Sequence, residues 1–186
     1  MGEDVEVWLV RHGETEWSRD HRHTSTTDLE LTPDGEAVAR ALAPRLDRPF
    51  DLVLTSPRRR AWVTAELAGH PEAEVDADLV EWDYGAYEGI TTTRIRETVP
   101  GWTVWTHPTP GGEDAAQVTQ RLDRAVARIR GHRSVLVFGH GHALRALAAR
   151  WVGLPVTEGR LLRLDTATVS VLGYERDQPV VLRWNA

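Results

Sequence analysis

The sequence predicts an α/β protein: a three-layer αβα sandwich with a mostly parallel central sheet. Three observations carry this. Short apolar runs alternate with segments whose apolar residues recur at helical spacing. Three of those runs end on residues suited to chemistry: Arg11-His12, Ser56 and His140. In open parallel sheets ligands bind beyond the carboxyl ends of the strands.

Val5 to Val10 reads as a buried strand that ends at Arg11-His12-Gly13. Thr32 is placed to cap a helix, with Pro33 at its first position, and Ala37, Val38, Ala41, Leu42 and Leu46 form its apolar face. Leu52 to Leu54 is a second strand. Ser56 is expected to cap a helix running to about Gly69, with Ala61, Ala65 and Ala68 on one face. Glu113-Asp114 open a long helix that buries Ala115, Val118, Leu122, Ala125, Val126 and Ile129, and Gly131 stops it. Ser134 to Phe138 is a third strand, followed by Gly139-His140-Gly141 and a helix from about Ala143 to Trp151. From about Leu161 the tail reads as two or three strands, with a turn near Arg176-Asp177-Gln178-Pro179.

Composition excludes several chemistries. The 186 residues suit one domain, 1–186, with a small cap around 82–112. Cysteine is absent, so thiolate catalysis, disulfides and cysteine-ligated metals are excluded, which fits the cytoplasm. No stretch approaches the ~20 apolar residues of a membrane span, and the first residues lack a signal-peptide pattern. The formal net charge of −6 argues against a nucleic-acid partner. Lysine is absent and all 22 basic residues are arginine, which removes the P-loop lysine and any Schiff base.

The candidate chemistry sits at the strand ends. Neutral imidazole at His12 is a competent nucleophile, and Arg11 beside it can hold phosphate oxygens. Arg58-Arg59-Arg60 at a helix start oppose the helix dipole unless an anion binds there. Alternatively they form a solvated charged helix end. His140, between two glycines before a helix, can stabilise charge opposite His12, or be a satisfied loop histidine. Glu81, in a loop of acids, aromatics and glycines, can be a general acid if its carboxyl lies against aromatic rings; otherwise it is a surface acid like Asp83 or Glu88. Trp102 and Trp105 either touch substrate from the cap or serve as buried props.

In this order the motifs resemble one family, the histidine phosphatase superfamily, also called the phosphoglycerate mutase-like family. Residues 7–16, Val-Trp-Leu-Val-Arg-His-Gly-Glu-Thr-Glu, are similar to its signature, and Ser56-Pro57-Arg58-Arg59-Arg60-Ala61 resembles its Ser-Pro-Leu-x-Arg-Ala. Thr27 to Thr32, Leu79-Val80-Glu81 and Val135 to Gly141 also match, so the resemblance runs from about residue 5 to 172. It implies a phosphoglycerate mutase-like fold and a phosphomonoester hydrolase without cofactor or metal, acting on a small phosphorylated metabolite of sugar phosphate or phosphoglycerate type. It implies His12 as nucleophile, Arg11 and Arg60 as phosphate grips, Glu81 as proton donor and His140 as second catalytic histidine. Ser18, Thr24 and Gly141 join Arg11 and Arg60 as substrate-binding positions. Three departures stand out: Ser18 where many members carry Asn, Arg58 for the usual Leu, and His142 for a frequent Gly. Arg22, His23 and Arg58 are candidates to contact a second acidic group on the substrate. A mutase is the alternative within the family. Only about 51 residues separate Gly89 from Gly141, which leaves a small cap and favours hydrolysis. Outside it, His21-Arg22-His23 and His140-Gly141-His142 have metal-ligand spacing.

Overall fold

In the computed structural model, which describes residues 5–186, six strands form one sheet. They are β1 (Glu6–Arg11), β2 (Leu52–Thr55), β3 (Glu74–Val75), β4 (Ser134–Gly139), β5 (Val169–Glu175) and β6 (Gln178–Arg183), in the order β3-β2-β4-β1-β5-β6. β1 and β2 run parallel to β4, and β3 runs parallel to β2. β5 and β6 complete the sheet as an antiparallel hairpin against β1. The helices are α1 (Glu16–Arg19), α2 (Pro33–Ala41), α3 (Ala43–Leu46), α4 (Arg59–Leu67), α5 (Thr92–Arg96), α6 (Ala115–Ile129) and α7 (Gly141–Trp151).

Alternation along β4 shows why both faces are covered. Val135 and Val137 enter the core beneath α6 and α7, with Leu122, Ile129, Leu147 and Trp151. Leu136 and Phe138 enter the opposite core, with Leu42, Leu46, Ala65 and Ala68. A strand buried on both faces reads as a continuous apolar run, as this one does. No helix among the described residues is long and apolar enough to cross a membrane.

Several elements differ from the sequence expectation. Thr32 does cap α2, its Oγ1 accepting from Gly35 N at 3.0 Å, and Pro33 opens it. The helix then divides at Leu42, because Pro44 has no N–H for the Arg40 carbonyl and restricts the residue before it. The buried face is Gly35, Ala39, Leu42 and Leu46, while Ala37, Val38 and Ala41 are exposed. Gly35 sets this rotation: a Cβ there would lie 2.2 Å from the Glu14 carbonyl oxygen. Ser56 does not cap α4; the cap position is Arg58, with no side-chain cap bond. The tail holds two strands and the first begins at Val169, since residues Val156–Leu161 form a 3-10 helix. The hairpin turn is Arg176-Asp177, with Arg176 in the left-handed region.

The segment 82–112 folds back on itself, and Tyr84 within it lines the cleft described below. Ala86 N donates to Pro110 O at 2.8 Å and Glu113 N to Asp83 O at 3.0 Å. Gly85 and Gly112 permit this approach, because a Cβ on either would meet main-chain oxygen at 2.2 Å. Trp102 and Trp105 are buried props: Trp102 donates to Pro108 O at 3.1 Å, and the Trp105 ring packs edge-on against Trp82.

Candidate active site

The register brings the three strand ends together. Arg11 lies opposite Gly139, and Thr55 opposite Phe138. One residue on, His12 N donates to Gly139 O and Ser56 N to Phe138 O, each at 3.0 Å. The His12 and His140 rings consequently lie 5.3 Å apart.

His12 is buried, with its Nδ1 2.7 Å from Gly13 O. A carbonyl can only accept, so Nδ1 carries the proton and Nε2 the lone pair. Burial holds the imidazole well below its ordinary pKa, and the Arg60 and Arg11 charges push it further. His12 is thus a neutral imidazole with a free ring nitrogen. Gly13 is needed here, since a Cβ would meet Gly35 O at 2.6 Å.

Arg60 is fully buried. Its Nη1 donates to Thr27 O at 3.0 Å, and its Nη2 to Thr24 O at 3.1 Å and Ser25 O at 3.2 Å. Arg11 Nη1 donates to Leu164 O at 2.6 Å. Burial lowers the pKa of both guanidinium groups, against the opposing charge of Glu81. Among the described residues the buried side-chain nitrogens without a partner are Nε of Arg11, Arg58 and Arg60, and Nδ1 of His140. Buried donors are nearly always satisfied, and planar guanidinium suits oxyanions.

Glu81 is buried at the N-terminus of α7. Its Oε1 accepts from Trp82 N and Ala143 N, each at 2.8 Å, and its Oε2 from His142 N at 3.0 Å. Main-chain amides at a helix start, rather than aromatic rings alone, therefore orient this carboxyl. Asp83 and Glu88 serve elsewhere: Asp83 Oδ1 accepts from Gly85 N, and Glu88 accepts from Ser25 N and Thr27 N at 2.9–3.0 Å.

A cleft of about 170 Å³ is lined by Arg11, His12, Ser18, Thr24, Glu81 and Gly141, among others. Arg60 and His140 are fully buried and are not among its lining residues. Ser18 Oγ donates to Thr15 O at 3.0 Å and accepts from Thr15 N at 2.9 Å, in the capping box of α1. Arg22 and His23 also face the cleft, whereas Arg58 is half-buried outside it. His23 Nε2 lies 3.0 Å from Thr92 Oγ1. Two residues that sequence reasoning passed over, Arg145 and Tyr84, belong to the surroundings, and Ser56, expected as a helix cap, joins them. Arg145 lines the cleft one turn into α7, Tyr84 OH lies 2.6 Å from His142 Nδ1, and Ser56 Oγ lies 2.7 Å from His140 Nε2. Helical spacing from Gly141 could have flagged Arg145; no local pattern marks the Tyr84 contact, and the strand-end position of Ser56 does not reveal its partner. Among the described residues no group of three or more His, Asp or Glu side chains is placed to hold a metal ion, so the two His-x-His pairs are not extended into ligand sets.

Four histidines are kept neutral by burial: His12, His140 and His142 well below their ordinary pKa, and His23 at about 4. The unfolded chain takes up these protons first as pH falls below about 6.5, so acid destabilises the fold. Stability should be flat with respect to these groups above that pH. Below it, stability should fall by up to about 1.4 kcal/mol per pH unit for each histidine, for His23 until pH reaches about 4. Urea unfolding at pH 7.5, 6.5 and 5.5 checks this; equal stabilities would contradict it.

Comparison with known proteins agrees with this geometry. The sequence profile of the histidine phosphatase superfamily (branch 1) matches residues 7–186. The chain is 48% identical over 173 residues to an acid phosphatase of Mycobacterium tuberculosis, covering 90% of this chain and 85% of that one. It is 39% identical over 183 residues to sedoheptulose 1,7-bisphosphatase of Saccharomyces cerevisiae, covering 80% and 68%. The solved structure of a functionally characterised Mycobacterium tuberculosis open reading frame superposes with a TM-score of 0.94 at 44% identity, over 98% of this chain and 97% of that one. With its strand-end histidines, buried arginines and sheet order, the chain belongs to the histidine phosphatase superfamily, branch 1.

Proposed function

We propose that the chain hydrolyses small phosphomonoesters of sugar phosphate or phosphoglycerate type, without a metal, through a phosphohistidine at His12 Nε2. The observation that carries this is the neutral His12, its Nε2 unprotonated, beside buried arginine and histidine nitrogens that have no protein acceptor. The names of its relatives, an acid phosphatase and a sugar bisphosphatase, support the same class.

Arg11, Arg60 and His140 take the phosphoryl oxygens and offset their charge, the task a metal performs in other phosphatases. His12 Nε2 attacks phosphorus as the ester P–O bond breaks. Glu81, protonated, gives its proton to the departing alkoxide. Water then attacks phosphorus, Glu81 takes the water's proton, and the P–N bond breaks to release inorganic phosphate. Ser18, Thr24 and Gly141 border the incoming group, and the segment 82–112 acts as a small cap. Arg22 and His23 supply donors for a second acidic group, and Arg145 adds another positive charge to that wall. A chain without cysteine suits the cytoplasm, where we place this work.

Phosphate release from a panel of phosphomonoesters in chelator is the direct test. Release would support hydrolysis; bisphosphate-dependent isomerisation with little release would favour a mutase. Glu81→Gln is expected to lower kcat about 10²- to 10⁴-fold for alkyl phosphates, and far less for p-nitrophenyl phosphate, whose leaving group needs no proton. Equal losses on both substrates would remove Glu81 from the acid role.

A further inference from the structure

We propose that Ser56 is a positioning residue that fixes the tautomer of His140, so that the neutral imidazole presents an Nδ1–H to the transferring phosphoryl group. Both residues are fully buried, and Ser56 Oγ lies 2.7 Å from His140 Nε2. The other partner of this hydroxyl is Arg58 N, which donates to it at 3.3 Å. Ser56 Oγ therefore accepts from the main chain, and its single proton has one acceptor within reach, His140 Nε2. Were Nε2 instead protonated, the hydroxyl proton would be left buried without a partner, at a cost of about 1–3 kcal/mol.

The consequence falls on the other ring nitrogen. A neutral imidazole whose Nε2 accepts must carry its proton on Nδ1. Nδ1 of His140 is buried and has no protein acceptor, in company with Nε of Arg11, Arg58 and Arg60. The depressed pKa of His140, caused first by burial and then by the charges of Arg60, Arg11 and Arg58, keeps the ring in the neutral form that this arrangement needs. The fold makes the contact possible by ending β2 and β4 side by side. Ser56 follows β2 and His140 follows β4, and Ser56 N is tied to Phe138 O. Ser56, two residues before the α4 cap position at Arg58, thereby has its hydroxyl against the site histidine.

The role in catalysis rests on the phosphatase reading; the tautomer does not, and the two are tested separately. Long-range ¹H–¹⁵N correlation spectra of the protein labelled with ¹⁵N-histidine, assigned with a His140→Asn variant, report which His140 nitrogen is protonated. The wild type is expected to show Nδ1–H, and Ser56→Ala to show a mixture or a shift to Nε2–H. In kinetics with p-nitrophenyl phosphate, Ser56→Ala should lose about 10- to 100-fold in kcat/KM, the size of loss seen when the hydrogen-bond partner of a metal-bound imidazole is removed. Ser56→Thr, which keeps the hydroxyl, should restore most of the loss; Ser56→Val, with the same shape and no hydroxyl, should not. An Nε2–H tautomer in the wild type overturns the proposal even if the variants fold badly. So does a Ser56→Val protein as active as Ser56→Thr. A wild type with Nδ1–H and no phosphatase activity would sink the functional reading and leave the positioning of His140 standing.

Discussion

Replacing His12 with Ala is expected to abolish the phosphoenzyme and to lower kcat by about 10⁴- to 10⁶-fold, the range seen when a catalytic nucleophile is removed. KM should change little, because Arg11 and Arg60 remain to bind the phosphoryl group. The loss should be this large because no other group in the site matches His12. Its Nδ1 is held by Gly13 O and its Nε2 is free. The neighbouring His140 has its Nε2 against Ser56 and cannot take over without breaking that contact. Quenched-flow trapping of an acid-labile phosphohistidine in the wild type, and its absence in the variant, is the measurement. An adduct of equal yield in His12→Ala would place the nucleophile elsewhere. Because His12 stays neutral well below pH 6.5, the acid limb of kcat/KM in the wild type should also lie well below 6.5.

Arg60→Ala is expected to damage two properties at once. Its guanidinium is the only side chain seen to hold the carbonyls of Thr24, Ser25 and Thr27 among the described residues, and its Nε is free for an oxyanion. Loss of the charge and the donor should lower kcat/KM by about 10²- to 10³-fold. Loss of the fork leaves the carbonyls of Thr24, Ser25 and Thr27 without their donor, and stability should fall by roughly 1–3 kcal/mol, the cost of leaving hydrogen-bonding groups unsatisfied. Arg60→Lys separates the effects: it keeps a charge without the planar fork, so it should regain some phosphate binding and little stability. Kinetics and urea unfolding of both variants decide the matter. Arg60→Ala with wild-type stability would show that the 24–27 loop does not depend on this side chain.

The sequence exposes those elements whose physics is local. β1 and β4 are apolar runs buried on both faces, and α6 has a side-chain cap at Asp114 and an apolar stripe, so their limits are legible to within a residue or two. Elements fixed by contacts between distant segments are not. β3 is two exposed residues held by pairing to β2, with no pattern of its own. The rotation of α2 depends on Gly35 meeting the Glu14 main chain, which no periodicity in 33–46 encodes. The site shows the same division. Arg11, His12, Glu81 and His140 lie within recognisable motifs and stand together in the fold. Ser56 resembles a cap because its neighbours in the chain, Pro57 and then a helical run, are those of a helix start, while its partner lies 84 residues away. Glu88 is indistinguishable from a surface acid in the sequence, since its partners are amides more than 60 residues distant.

Those amides have a further significance. Arg60 takes the carbonyl groups of residues 24, 25 and 27 and Glu88 takes two N–H groups, those of 25 and 27, so the stretch is held by its main chain from both sides. A loop gripped this way is indifferent to most of its own side chains. Thr24 faces the cleft while its carbonyl is fastened behind it, so mutation there can retune which molecule is accepted without loosening the apparatus that transfers phosphate. Selection for a new metabolite would find in this loop a position where innovation carries little penalty for the chemistry already in place.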